Sequence, residues 1–160
     1  LGREYLFRGR WDDCIRTLKR HLAMPTATWA DERAASMRFI AQSYEHKEQP
    51  EEALRWYLRA AAEAPHLREP FVELALLLYT QEEWDGVLYF TQKALNIRER
   101  PHTYICEARA WGALPYDLRC QAYYHTGRPH LALEAARAAL ALEPQDERLQ
   151  GNVNLLEGLC

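Results

Sequence analysis

The feature that most constrains this chain is a set of spaced small residues that occurs twice. Ala53, Ala60 and Pro65 are separated by six and then four residues, and Ala132, Ala139 and Pro144 repeat that spacing. Tyr44 and Tyr123 each lie nine residues before the first alanine of their set, and Glu48 and Gly127 each lie five before it. Tyr57 and Ala136 stand at the same place between the alanines. Self-similarity at this many positions signals a structural unit repeated along the chain, each copy burying its apolar side only against its neighbours.

Two further copies emerge once small residues are followed outwards. The first alanine becomes Cys14, Ala53, Val87 and Ala132 in successive units, and the second becomes His21, Ala60, Ala94 and Ala139. Upstream of the last three lie Ala41, Ala75 and Cys120. Small residues where two helices touch, a Tyr in the first helix and a Pro closing the unit: this combination resembles the tetratricopeptide repeat (TPR) family. The resemblance implies an all-α solenoid, a right-handed stack of antiparallel helix pairs. His21 is the departure, and it makes the first unit the weakest match. The units start near Ala34, Arg68 and Ala113; the first step is 34 residues, the TPR period, and the second is 45, which is 11 longer. The expected organisation is a single domain over 1–160: a partial repeat at 1–33, with its turn at Gly9 and its second helix from Trp11 to about Ala23, repeats at 34–67 and 68–97, an insertion at 98–112, a repeat at 113–145 and a capping helix at 146–160.

Local chemistry supports helices at these places. Pro50, Pro115, Pro129 and Pro144 fall at or near helix starts, where a missing N–H leaves no bond unmade. Glu51 and Glu52 suit the positive end of a helix dipole. Asp31 is placed to cap the helix carrying Met37, Ile40, Ala41 and Tyr44. Ala53, Leu54, Tyr57 and Ala60 form the matching apolar stripe on the next helix. Near the end, Leu149, Val153 and Leu156 share one helical side while Glu147, Gln150, Asn154 and Glu157 are polar, as a helix solvating the end of a stack requires.

Composition excludes several classes. Twenty Lys and Arg against 23 Asp and Glu leave a net charge of −3, which offers no general attraction to nucleic acid or anionic lipid. The longest apolar run, Leu74–Tyr79, is far below the ~20 residues of a membrane span. Cys14, Cys106, Cys120 and Cys160 form no C-x-x-C pair and no zinc spacing with histidine, so they read as reduced thiols of a cytoplasmic protein without metal or cofactor. The chain opens on Leu1, without a signal peptide, and enters helical pattern at once; we expect a longer parent protein.

Function is then a matter of surface. TPR first helices line a concave groove, and the register assigns Arg38, Gln42 and Glu45, then Val72, Leu76 and Tyr79, then Asp117, Gln121, Tyr124 and His125 to it. Tyr79 and Tyr124 suit a protein or peptide partner, though they would serve equally to pack on neighbouring helices. The chaperone-binding type of TPR groove holds a terminal carboxylate with Lys, Asn and Arg. Here those positions read Arg38, Gln42, Glu73, Leu114 and Leu118, so that ligand is not expected. The insertion carries Tyr104 and Trp111, which either present a recognition surface or, with Ile105, plug the gap between the third and fourth repeats. His102, Cys106 and Glu107 lie close together, but no catalytic signature accompanies them. Trp29, Trp56 and Trp84 lack the basic face that RNA binding needs.

A narrower resemblance rests on three stretches: Glu4–Ile15, Ala64–Phe71, and Tyr104–Gly112 running into Leu114–Asp117. They are similar to the TPR region that follows the catalytic domain of some bacterial family 2 glycosyltransferases. This resemblance implies a parent enzyme transferring sugar from a nucleotide sugar with a divalent metal held by Asp-x-Asp. No Asp-x-Asp occurs here, so no catalytic residue carries over. The chain would then be a non-catalytic accessory region handling a protein partner or glycan acceptor; the alternative is a freestanding peptide-binding adaptor. The short first helix favours the accessory reading, and the edge formed by Leu1, Tyr5, Leu6 and Phe7 would allow self-association in either.

Overall fold

Ten helices and no strand make up the computed structural model, which describes residues 1–160. In chain order they are α1 (Gly2–Phe7), α2 (Trp11–Ala23), α3 (Ala30–His46), α4 (Pro50–Glu63), α5 (Glu69–Thr80), α6 (Trp84–Asn96), the single turn α7 (Ala108–Trp111), α8 (Leu114–His125), α9 (Pro129–Leu142) and α10 (Glu147–Leu159). Four antiparallel pairs follow one another: α1–α2, α3–α4, α5–α6 and α8–α9, with α10 closing the last pair.

One turn builds all four pairs. Gly9, Glu48, Glu82 and Gly127 have φ of 69°, 56°, 57° and 71°, the left-handed conformation that lets a helix stop. The next residue's N–H then reaches back to a carbonyl five residues earlier: Arg10 to Tyr5, Gln49 to Tyr44, Glu83 to Leu78 and Arg128 to Tyr123, at 2.9–3.0 Å. Each left-handed residue lies five before Cys14, Ala53, Val87 or Ala132, so turn and crossing point keep one register. All four of those residues are fully buried. Facing them from the first helices are Gly2, Ala41, Ala75 and Cys120, each twelve residues upstream. Gly2 completes a series whose other three members stand out in the sequence. A β-carbon there would sit 2.3 Å from Leu18 Cδ2, so any larger residue would push the Leu18 side chain aside where α1 meets α2.

The main core of 17 buried residues runs from Leu6 to Leu77 through the first three pairs, and smaller clusters continue it to α10, where Leu149, Val153 and Leu156 are buried. Successive first helices touch (α1 with α3, α3 with α5, α5 with α8), whereas successive second helices do not make comparable contact. The first helices therefore line the inner side of the curve. Aromatic stacking marks alternate junctions. Trp11, first residue of α2, stacks on His46, last of α3, with centroids 4.2 Å apart and planes 8° from parallel. Trp84, first of α6, stacks on His125, last of α8, at 4.4 Å and 7°. In the other two second helices, α4 and α9, that first position is Pro50 and Pro129.

Asp31 is a correction. Helix α3 begins at Ala30, so Asp31 lies inside its first turn and caps nothing. Its buried carboxylate faces His66, with Oδ1 2.7 Å from Nε2. Asp146 does cap, accepting from the N–H groups of Arg148 and Leu149 at 2.9 and 3.1 Å.

Candidate functional site

Helix α5 is apolar but for Thr80 at its end and two carboxylates one turn apart, Glu69 and Glu73, both buried. Buried carboxylates need partners, and the inserted segment supplies them. Glu69 Oε1 accepts from the Glu107 backbone N–H at 2.8 Å and from Trp111 Nε1 at 3.2 Å. Glu73 Oε1 accepts from Arg109 Nη2 at 2.6 Å and from Gln42 Nε2 at 3.3 Å. On α3, Arg38 Nη2 donates to Glu107 Oε1 at 2.5 Å. Arg68, just before α5, donates to the Ile97 carbonyl at 2.8 Å and lies 4.2 Å over the Trp111 ring. Tyr104 meets Trp29 edge-on with centroids 6.0 Å apart.

Residues 98–112 thus form a strap laid along the inner side of the first three pairs, over α5 and α3. Ala110 and Trp111 do pack between α5, α6 and α8, but the rest extends well beyond that gap. The consequence for the inner face is direct. Arg38 and Val72, expected as groove-lining residues, are buried beneath or beside this segment. Gln42 is tied to Glu73, and Glu45 accepts a hydrogen bond from the Tyr57 hydroxyl. Electrostatics here are strained by burial. It pushes the Glu73 carboxyl above its ordinary range, against the opposing pull of Arg109 and Arg38. Burial, helped by the charges of Glu73 and Glu45, holds the Tyr57 phenol well above its usual value.

Comparison with known proteins gives the same architecture. The Tetratricopeptide repeat family matches residues 36–70, from α3 through α4 into α5. The crystal structure of MamA is similar over 99% of this chain and 84% of its own, with a TM-score of 0.76 at 18% identity. A further MamA crystal structure gives 0.74 at 17% identity, covering 98% and 76%, and MamA MSR-1 C2 gives 0.67 at 15%, covering 99% and 82%. The fold is a TPR-type α-solenoid. No curated protein matches the chain.

Within this TPR-type solenoid a further stretch of surface lies beyond the strap, towards α8. There Tyr79, Trp84, His125 and Tyr124 form a continuous run of ring contacts: Tyr79 on Trp84 at 5.7 Å, Trp84 on His125 at 4.4 Å, and Tyr124 on His125 at 5.4 Å. Leu76 is half-buried nearby. Asp117 is held by Arg148 of α10 through contacts of 3.2 and 2.8 Å. A recess of about 110 Å³ opens between α8 and α10, lined by Cys120, Gln121, Tyr124, Asn152, Leu155 and Leu156.

At the other end, a cavity of about 500 Å³ lies between α1, α2, α3 and the strap. His21 lines it and departs from the small residue of the other repeats because it has a partner: Nδ1 is 3.0 Å from Ser36 Oγ. Its Nε2 is 3.9 Å from Glu32 Oε2. Serine, imidazole and carboxylate in sequence resemble a hydrolytic relay, but Ser36 sits inside α3, whose interior N–H groups are spent on the helix. An acyl-transfer site needs such donors free to hold an oxyanion.

Proposed function

We propose that this chain is a non-catalytic scaffold that binds a protein or peptide partner, and that the aromatic ledge of Tyr79, Trp84, His125 and Tyr124 is its contact surface. The supporting observation is exposure: Tyr79 and Tyr124 remain 36% and 45% accessible on a stretch that the strap does not cover. Rigid aromatics on helices offer a large contact area at small entropic cost. The recess beside Tyr124 suits one apolar side chain of the partner. The test is affinity capture with the chain and with its Tyr79→Ala/Tyr124→Ala variant. A captured partner should be lost by the variant while helicity holds; equal capture would remove the ledge as the surface.

A second reading sets this scaffold beside a sugar-transferring domain. It is favoured by the stretch Tyr104–Gly112, which resembles the accessory region of family 2 glycosyltransferases and coincides with the strap. The ledge would then hold a protein or glycan acceptor. Sugar transfer by a parent protein carrying Tyr79→Ala/Tyr124→Ala would show a raised acceptor KM with turnover intact; an unchanged KM would reject this reading.

A further inference from the structure

The strap is fastened to the solenoid in an unusual way. Apolar burial holds the strap only at its end, where Ala110 is buried and Trp111 half-buried against α5, α6 and α8; none of residues 98–109 is buried. Along the rest the fastening is polar, and its two sides differ. On the solenoid side the groups are covered by the helices and the strap together: the Arg38 side chain is 2% exposed and that of Glu73 is 7%. On the strap side the partners are more open, Glu107 at 30% and Arg109 at 51%. The receiving half is built on helices α3 and α5, and the received half is a short segment that turns at Tyr104–Ile105 and ends in the single helical turn α7. That asymmetry is the one expected between a groove and a short peptide lying in it.

A second observation points to a ligand. Arg38 Nη1 and Glu69 Oε2 are buried without a hydrogen-bond partner, and both residues line a narrow space under Thr103, Ile105 and Cys106. Buried, unpartnered charged atoms are costly. The strap uses only part of the hydrogen-bonding capacity the groove offers.

We propose that residues 98–112 are a built-in ligand, occupying a peptide groove whose external ligand is a short segment with an acidic residue two before a basic one, the basic residue standing in a helical turn as Arg109 does in α7. The acid takes the place of Glu107 on Arg38, and the base takes the place of Arg109 on Glu73. An apolar residue two before the acid follows the path of Ile105. The strap then acts as a competitor that keeps the groove closed to weak or mismatched peptides, because a ligand must make up the Arg38–Glu107 and Arg109–Glu73 pairs it displaces. The proposal rests on the reading of this chain as a binding scaffold, but on a different surface from the ledge.

The experiment uses a fluorescent synthetic peptide with the sequence of residues 98–112. Its binding partner is the chain with those residues replaced by a Gly/Ser segment of the same length. Anisotropy should show saturable binding to the replaced chain. Affinity should be about tenfold or more weaker for the intact chain, and for a peptide carrying Glu107→Gln and Arg109→Gln. A helical replaced chain that ignores the peptide, or binding indifferent to these two charges, would overturn the proposal. If the replaced chain loses its helicity, hydrogen exchange on the intact protein decides. Amides of 98–111 should exchange at least about tenfold faster than those of α3 and α5, and Glu107→Gln should accelerate them alone. Exchange in step with α3 and α5 would make the strap part of the core. Adding Tyr79→Ala/Tyr124→Ala to the replaced chain separates the two surfaces: peptide affinity should not change, whatever becomes of the ledge.

Discussion

Arg38 and Glu107 lie 69 residues apart in sequence and join guanidinium to carboxylate at 2.5 Å, one on a helix of the solenoid and the other on the segment that crosses it. Removing one member of such a pair strands the other, and the penalty depends on which is stranded. Glu107→Ala leaves a cation buried in α3 and should cost about 2–3 kcal/mol, short of the ~3–5 of a wholly buried pair because Glu107 is partly hydrated. Arg38→Met leaves a carboxylate that can turn to water and should cost about 1 kcal/mol. Urea unfolding of both variants measures the difference; equal costs would show that Arg38 is reached by solvent.

Two turns carry glutamate where the backbone asks for glycine. Glu48 and Glu82 hold φ of 56° and 57° in the same position as Gly9 and Gly127. Glu48→Gly and Glu82→Gly should each raise stability by about 0.5–1 kcal/mol, and Gly127→Ala should lower it by about 1 kcal/mol. Thermal melts of the three variants check the ordering.

Glu73 gives a pH dependence whose sign can be worked out. Burial raises its folded pKa above the ordinary 4.5, so the folded state binds the proton more tightly than the unfolded one. Its contribution to stability is full below that ordinary value and is lost as pH rises through the raised one. Compared with Glu73→Gln, which keeps an acceptor for Arg109 but cannot titrate, the native chain should gain relative stability on going from about pH 7 to about pH 5. A difference in unfolding free energy that is flat, or of opposite slope, would mean that Arg109 and Arg38 outweigh burial.

The four thiols should separate cleanly. Cys14 and Cys120 are buried, and the Cys120 thiol is pushed up to about 11 by burial and by Asp117. Burial also raises Cys106. Cys160 is exposed. A thiol reagent at mildly alkaline pH should modify Cys160 first, Cys106 slowly, and Cys14 and Cys120 only on unfolding. Mass mapping of the modified residue over time gives the order.

Legibility in the sequence followed periodicity. Ala53, Ala60, Ala132 and Ala139 announce the solenoid because each must be small for two helices to touch, and a steric demand leaves its mark on residue type. Gly2 satisfies the same demand but stands at the chain's edge, with no complete repeat around it to set its register. The strap was visible only as extra length. Its course depends on Glu69 and Glu73 meeting Glu107, Arg109 and Trp111 across 36 to 42 residues, and such pairings leave no spacing rule. One signal was available: two carboxylates, one turn apart, on the otherwise apolar face of α5. Register alone places Arg38 on the groove side of α3. What register cannot report is that another part of the same chain already lies there.

The two Trp–His stacks bear on how such a molecule can lengthen. Trp11 meets His46 and Trp84 meets His125, while the other two repeats present Pro50 and Pro129 at the tryptophan's place. The unit of this solenoid is therefore four helices rather than two, with odd and even repeats as its unlike halves. Excising or copying a single repeat would bring two like halves together and leave either a tryptophan or an imidazole without its stacking partner. Only insertions or deletions in pairs keep every ring opposite its partner.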